Sequence, residues 1–191
     1  MREDTTMTWM EIQKQLETKL DSKRFAHTQG VMYTAASLAM RYAISVEDAM
    51  VAGVLHDCAK SMGVREQYEK CTQYGILLNE TEQKNGALIH AKLGAYLAQH
   101  EYGVKNPEIL RAITYHTTGA PNMTTLEKIL YIADYIEPNR VLPEVERLRV
   151  LAFQDLDQTM LQLLELTIKH LQTNKQLMDE ATLATYEYYK L

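Results

Sequence analysis

Apolar residues recur three and four positions apart along nearly the whole of this 191-residue chain, the spacing that lines one face of an α-helix. Ile12, Leu16 and Leu20 set the rhythm. Val31, Met32, Ala35, Leu38, Ala39 and Tyr42 continue it, and Leu126, Ile129, Leu130 and Ala133 repeat it in the second half. Turn-formers are scarce, with 8 Gly and 4 Pro, which favours long elements joined by short connections over a many-stranded β fold. The periodicity predicts an all-α fold of about nine helices, at roughly 8–20, 22–43, 46–59, 64–74, 88–102, 106–116, 124–137, 143–172 and 178–190. Asp21, Ser45 and Asn106 stand where N-caps belong, with Pro107 in a first turn, and Gly75 and Gly103 where helices stop. The length fits one domain over residues 1–191. No repeat or linker-like stretch divides it into parts.

Composition narrows the function. A net charge of −5 disfavours nucleic-acid or anionic-membrane binding, because phosphate surfaces reward basic proteins. A small phosphate-bearing substrate stays open, since a bound cation and a few basic side chains reverse the field locally. Cys58 and Cys71 have no metal-ligand spacing, and a core this large needs no disulfide framework, so a reduced cytoplasm is the expected setting. The N-terminus, Met1-Arg2-Glu3-Asp4, has no signal-peptide pattern, and no apolar stretch approaches a membrane span.

The chemistry sits where the apolar stripes break their own rule. The run Ala49-Met50-Val51-Ala52-Gly53-Val54-Leu55 ends in His56-Asp57. His27 precedes Val31 by one turn, His90 precedes Leu93, Gly94 and Leu97 on its face, His116 follows Ala112 and Ile113, and Asp134 follows Leu130. Residues three and four apart share a helix face, so each of these polar groups points where its helix points its apolar residues. A lone inward histidine is ordinarily satisfied by a hydrogen bond within the core. An inward carboxylate costs several kcal/mol unless paired, and an Arg or Lys partner would serve for Asp134. Four imidazoles and two acids from five helices, all inward, are better explained by one shared metal ion. Imidazole nitrogen and carboxylate oxygen suit iron, manganese, zinc, cobalt or nickel. Asp57, with two oxygens, is able to bridge two ions. His100 and His170 lie in polar surroundings and read as surface residues.

The order His27, His56-Asp57, Asp134 resembles the metal signature of the HD superfamily of phosphohydrolases, and His90 and His116 look like the inserted histidines of its two-metal members. Arg24-Phe25-Ala26-His27-Thr28, His56-Asp57-Cys58-Ala59-Lys60, His116-Thr117-Thr118-Gly119 and Ile132-Ala133-Asp134-Tyr135-Ile136-Glu137-Pro138-Asn139-Arg140 are similar to the motifs of the bacterial YqeK family, which are symmetrical diadenosine tetraphosphate hydrolases. The resemblance runs from about residue 11 to near the C-terminus. It implies one HD-type helical domain with an N-terminal helix at about 8–20, a metal-binding core at about 22–140 and C-terminal helices at about 143–190. It further implies that His27, His56, Asp57 and Asp134 bind a first metal, most simply iron. His90 and His116 would bind a second ion, contact phosphate, or supply a proton. Arg24, Lys60 and Arg140 would clamp phosphate oxygens, with Thr117 and Thr118 adding contacts.

Without that resemblance, Arg24 and Lys60 read as solvated helix-end charges, and Arg140 as a partner for Glu137. Positions 26 and 127 are expected to vary among relatives. Other HD phosphohydrolases of nucleotides, a di-iron HD oxygenase and a non-catalytic nucleotide sensor are the competing functions, and a homodimer stays open. Tyr186, Tyr188, Tyr189 and Met178 form either a partner surface or, as the preferred reading, a helix packed on its own chain.

Overall fold

The computed structural model describes residues 7–191. Among these residues there are eleven α-helices and one 3-10 turn. They are α1 (Trp9–Lys19), α2 (Ser22–Arg41), α3 (Val46–Leu55), α4 (Val64–Tyr74), α5 (Glu80–Lys84), α6 (Ile89–His100), α7 (Pro107–Tyr115), α8 (Thr125–Ile136), α9 (Val145–Ala152), α10 (Leu156–Thr173) and α11 (Glu180–Tyr189). The 3-10 turn, Cys58–Ser61, follows α3.

Two helices beyond the expected nine have local causes. Asn79 accepts from the Glu82 N–H while Glu82 reaches back to the Asn79 N–H, a capping box that nucleates α5. The single helix expected over 143–172 is broken. Asp155 has extended backbone, and its carboxylate accepts from the N–H groups of Asp157 and Gln158, opening α10 anew. The break is held from outside, since Tyr42 donates to Ala152 O at 2.7 Å and Arg41 to Phe153 O at 2.7 Å. The helix expected over 46–59 also ends early. It stops at Leu55, and the chain tightens into the 3-10 turn.

α3 and α8 are buried nearly all round, as helices at the centre of a core are. α8 buries Leu126, Ile129, Leu130, Tyr131, Ile132, Ala133 and Ile136 and packs on α2, α7 and α10. α3 packs on α2, α7 and α1. One contiguous apolar cluster runs from Ile12 to Leu164. Glu127 is fully buried, completes the capping box of Thr124 and accepts from Arg111 Nε at 2.6 Å. In this chain Glu127 therefore ties α7 to the start of α8. No helix among the described residues is long and apolar enough to cross a membrane.

α2 and α3 make the most extensive helix pair, and glycine sets how closely they cross. A Cβ on Gly53 would lie 2.6 Å from Met32 Cα, a backbone atom that cannot swing aside. Gly53→Ala is expected to destabilise the protein by about 1–3 kcal/mol through overpacking, read as a lower urea midpoint at unchanged slope.

Candidate metal centre

Five segments bring their polar ends to one point. His27 comes from the N-terminal half of α2, His56-Asp57 from the end of α3, His90 from the first turn of α6, His116 from the end of α7 and Asp134 from the last turn of α8. The early end of α3 has a use. Neighbours on a helix project about 100° apart, so His56 and Asp57 would diverge if α3 continued. Instead His56 is the C-cap and the backbone turns at Asp57 (φ −107, ψ 13). Both side chains then face the same space.

Asp57 is the hub. Its Oδ2 lies 3.5 Å from His56 Nε2 and 3.8 Å from His27 Nε2. Its Oδ1 lies 3.3 Å from His90 Nε2 and 3.7 Å from His116 Nε2. Asp134 Oδ1 is 3.0 Å from His27 Nε2 and 3.9 Å from His56 Nε2. His90 and His116 bring their Nε2 atoms to 3.0 Å of one another. The rings of His27 and His56, and those of His56 and His116, stand edge to face at 5.3 and 5.2 Å. Two overlapping donor groups result, His27/His56/Asp134 and His56/Asp57/His116, each with its atoms within 4.8 Å of one another.

The hydrogen bonds behind the rings fix their tautomers. His56 Nδ1 donates to Gly53 O at 2.7 Å and His116 Nδ1 to Ile113 O at 2.7 Å. A carbonyl only accepts, so each proton sits on Nδ1 and each Nε2 presents a lone pair to the centre. His27 Nδ1 stands 3.1 Å from the Glu137 carboxylate, with the same consequence. Among the described residues, His27 Nε2 and His56 Nε2 are buried without hydrogen-bond partners. Inward-facing lone pairs held by outer hydrogen bonds are the arrangement a divalent metal ion needs, so the residues fit such an ion.

Charge at the centre is arranged to keep the acids ionised. Burial raises the Asp57 carboxyl pKa, but His56, His116 and Lys60 outweigh it and hold the group well below the usual range. Burial likewise opposes ionisation of Asp134, and its neighbours His27, His56 and Arg140 prevail and hold the carboxyl below its usual range. Burial, then His116 and Lys60, push the His90 pKa down well below its ordinary value. At neutral pH its ring is therefore uncharged, suited to a ligand rather than an imidazolium proton donor.

Three cations rim the site. Arg24 Nη1 donates to Asp57 Oδ2 at 2.8 Å, Lys60 Nζ lies 3.0 Å from Asp57 Oδ1, and Arg140 Nη2 lies 2.6 Å from Asp134 Oδ1. Their side chains keep 35, 30 and 37% exposure, so each joins an acid of the centre to solvent. A cleft of about 290 Å³ opens beside Arg24 and Arg140, lined also by Asp21, Lys23, His27, Glu137 and Asn139. Thr117 is half-buried next to His116. The Thr118 hydroxyl is turned away, donating to Gly119 O at 3.1 Å.

Arg140 therefore pairs with Asp134, not with Glu137. Glu137, 1% exposed, was not singled out as a site residue, although it follows Asp134 by three and so shares its helix face. Its Oε1 takes His27, and its Oε2 accepts the Asn139 N–H at 2.7 Å. Gly30 makes room for it, because a Cβ there would overlap Glu137 Oε2. His100 and His170 are exposed. α11 packs on its own chain: Tyr189 OH accepts the Met123 N–H at 3.2 Å, and Thr185 lies against Gly119.

Comparisons with known proteins place the chain among relatives. The family model described as HD domain matches residues 24–139, which contain all six converging ligand candidates. A Bacillus subtilis protein named symmetrical bis(5'-nucleosyl)-tetraphosphatase is 40% identical over 173 residues, 91% of this chain and 92% of that protein. One of the same name from Halalkalibacterium halodurans is 42% identical over 171 residues, 87% of this chain and 89% of that one. A crystal structure from Clostridium acetobutylicum, described as a predicted HD superfamily hydrolase involved in NAD metabolism, superposes with a TM-score of 0.93 at 38% identity, covering 97% of this chain and 98% of that one.

An ion that binds the folded state alone stabilises it by mass action. A divalent transition metal at about a hundredfold its Kd is expected to add about 2.7 kcal/mol to the unfolding free energy. Calorimetry with and without chelator measures the difference.

Proposed function

This chain belongs to the HD-domain family, and from that membership we propose that it is a metal-dependent hydrolase that cleaves dinucleoside tetraphosphates, diadenosine tetraphosphate among them, symmetrically into two nucleoside diphosphates. The observation that carries the reading is the hub at Asp57, with imidazoles on both oxygens and Arg24 and Lys60 on the rim. The printed names of relatives at 40 and 42% identity over most of the chain support the substrate.

His27, His56, Asp57 and Asp134 would hold a first ion, and Asp57 with His90 and His116 a second. A divalent ion there would supply Lewis acidity and lower the pKa of the attacking water towards neutrality. The remaining work belongs to the chain. Asp57, kept ionised by its neighbours, would hold the ion and orient the water towards the attacked phosphorus, one of the two inner atoms of the tetraphosphate. Arg24, Lys60 and Arg140 take non-bridging oxygens and stabilise the charge that grows as the bond to the bridging oxygen breaks. Thr117, beside His116, adds a contact at the same end. The departing nucleoside diphosphate is a weak base and needs little protonation, which fits an uncharged His90.

The ion is iron in this reading, on the resemblance of the motifs; the same donors accept manganese, cobalt, nickel and zinc. The setting is the cytoplasm, which suits two buried free cysteines. A net charge of −5 suits a small nucleotide better than a nucleic acid.

Asp57→Ala is expected to lower kcat by roughly a thousandfold or more, as loss of an essential group does, and to lower metal content while far-UV circular dichroism stays helical. In oxygen-18 water, label should enter one diphosphate per cleavage. Products of ATP plus AMP would contradict the symmetrical reaction, and wild-type turnover by the Asp57→Ala protein would reject the mechanism.

A further inference from the structure

The C-terminal end of α8 carries three groups of the centre within seven residues: Asp134, Glu137 and Arg140. It is also the place where the helix should be least well held. Pro138 ends the helix and has no N–H to offer, so the last carbonyls of α8 lack their usual donors. The Arg140 N–H donates to Glu137 O at 2.9 Å, and two arginine side chains supply the other donors. Arg140 Nε donates to Asp134 O at 2.7 Å. Arg149, from the second turn of α9, covers the rest. Its Nε donates to Ile136 O at 2.9 Å and its Nη2 to Glu137 O at 2.8 Å, with Pro138 O at 3.3 Å and Arg140 O at 3.4 Å from the same nitrogen. Its Nη1 is held by Glu146 at 2.6 Å.

We infer that Arg149 is a positioning residue of the metal centre, acting through Glu137 on the His27 ring. It touches neither the donor atoms nor the cleft that Lys23, Arg24 and Arg140 line. What it fixes is the turn from which Glu137 rises to His27 Nδ1. Glu137 Oε1 reaches the ring and Oε2 the Asn139 N–H, so the carboxylate is placed by backbone atoms of the turn that Arg149 pins. A turn free to rock would leave His27 without a fixed outer hydrogen bond, and its Nε2 without a fixed direction. The planar fork matters as well as the charge. A lysine at 149 would still sit favourably at a helix C-terminus, but a single ammonium cannot span carbonyls in this geometry.

The inference rests on the metal-centre reading, and its test keeps the two apart. Affinity of the full-length chain for manganese is measured by competition with a chromophoric chelator, for the unaltered chain, R149M, R149K, E137Q and R149M/E137Q. Thermal unfolding of each metal-free protein is recorded beside it. R149M and R149K should each weaken binding about tenfold, and E137Q about 10- to 100-fold. In the E137Q background R149M should cost less than about threefold more, because two residues acting in series are not additive. A full multiplicative loss in the double variant, unchanged affinity in R149M, or full affinity in R149K would each overturn the proposal. If R149M fails to fold, R149K paired with E137Q completes the same cycle. An unaltered chain that binds no manganese or iron would sink the centre itself, a different failure.

Discussion

The fold is organised around the burial of one carboxylate. Asp57 is 1% exposed, and a charge taken that far from water costs several kcal/mol unless its surroundings answer it. Here the Arg24 guanidinium and the Lys60 ammonium do so, with four imidazoles close around the acid, and the six groups arrive from α2, α3, α6, α7 and the turn after α3. No two of those helices can move independently without stranding an acid. The apolar cluster gives the helices their reason to pack, while the polar centre selects which ends meet.

That division of labour explains the placing of the ligands. Apart from His27, which lies within α2, each stands in the first or last turn of its element or just beyond it. Interior helix positions would have buried polar groups among Leu and Ile side chains. Terminal positions gather them at one end of the bundle, where backbone carbonyls such as Gly53 O and Ile113 O are free to accept the outer ring protons. The carbonyls left over where a helix stops are thus put to use in orienting the histidines.

Much of this was legible in the chain itself. Inward polar residues at helical spacing identify His27, His56, Asp57, His90, His116 and Asp134, because periodicity reports which way a side chain faces. What the periodicity does not report is where a helix stops for local reasons. The Asp155 cap and the Asn79–Glu82 capping box are short-range signals that a continuous apolar rhythm hides. Arg149 was illegible for the same reason: its role follows from α9 being separate from α10, and from carbonyls that carry no sequence mark. Glu137 was visible but given no role of its own. A glutamate three residues before an arginine suggests an ion pair with it, yet Pro138 turns the backbone so that Arg140 folds back on Asp134.

Gly30 gives the arrangement a cost for anyone who would move it elsewhere. It has no side chain and donates nothing to the centre, yet the space above its Cα is the berth of Glu137 Oε2. An inventory of coordinating atoms would leave it out. Transplanting the six ligands into another bundle of similar helices, with alanine at that position, would shut the acid out and leave the first histidine unbraced. The recipe for this centre therefore includes an ingredient defined by absence, a single hydrogen where every other amino acid has carbon.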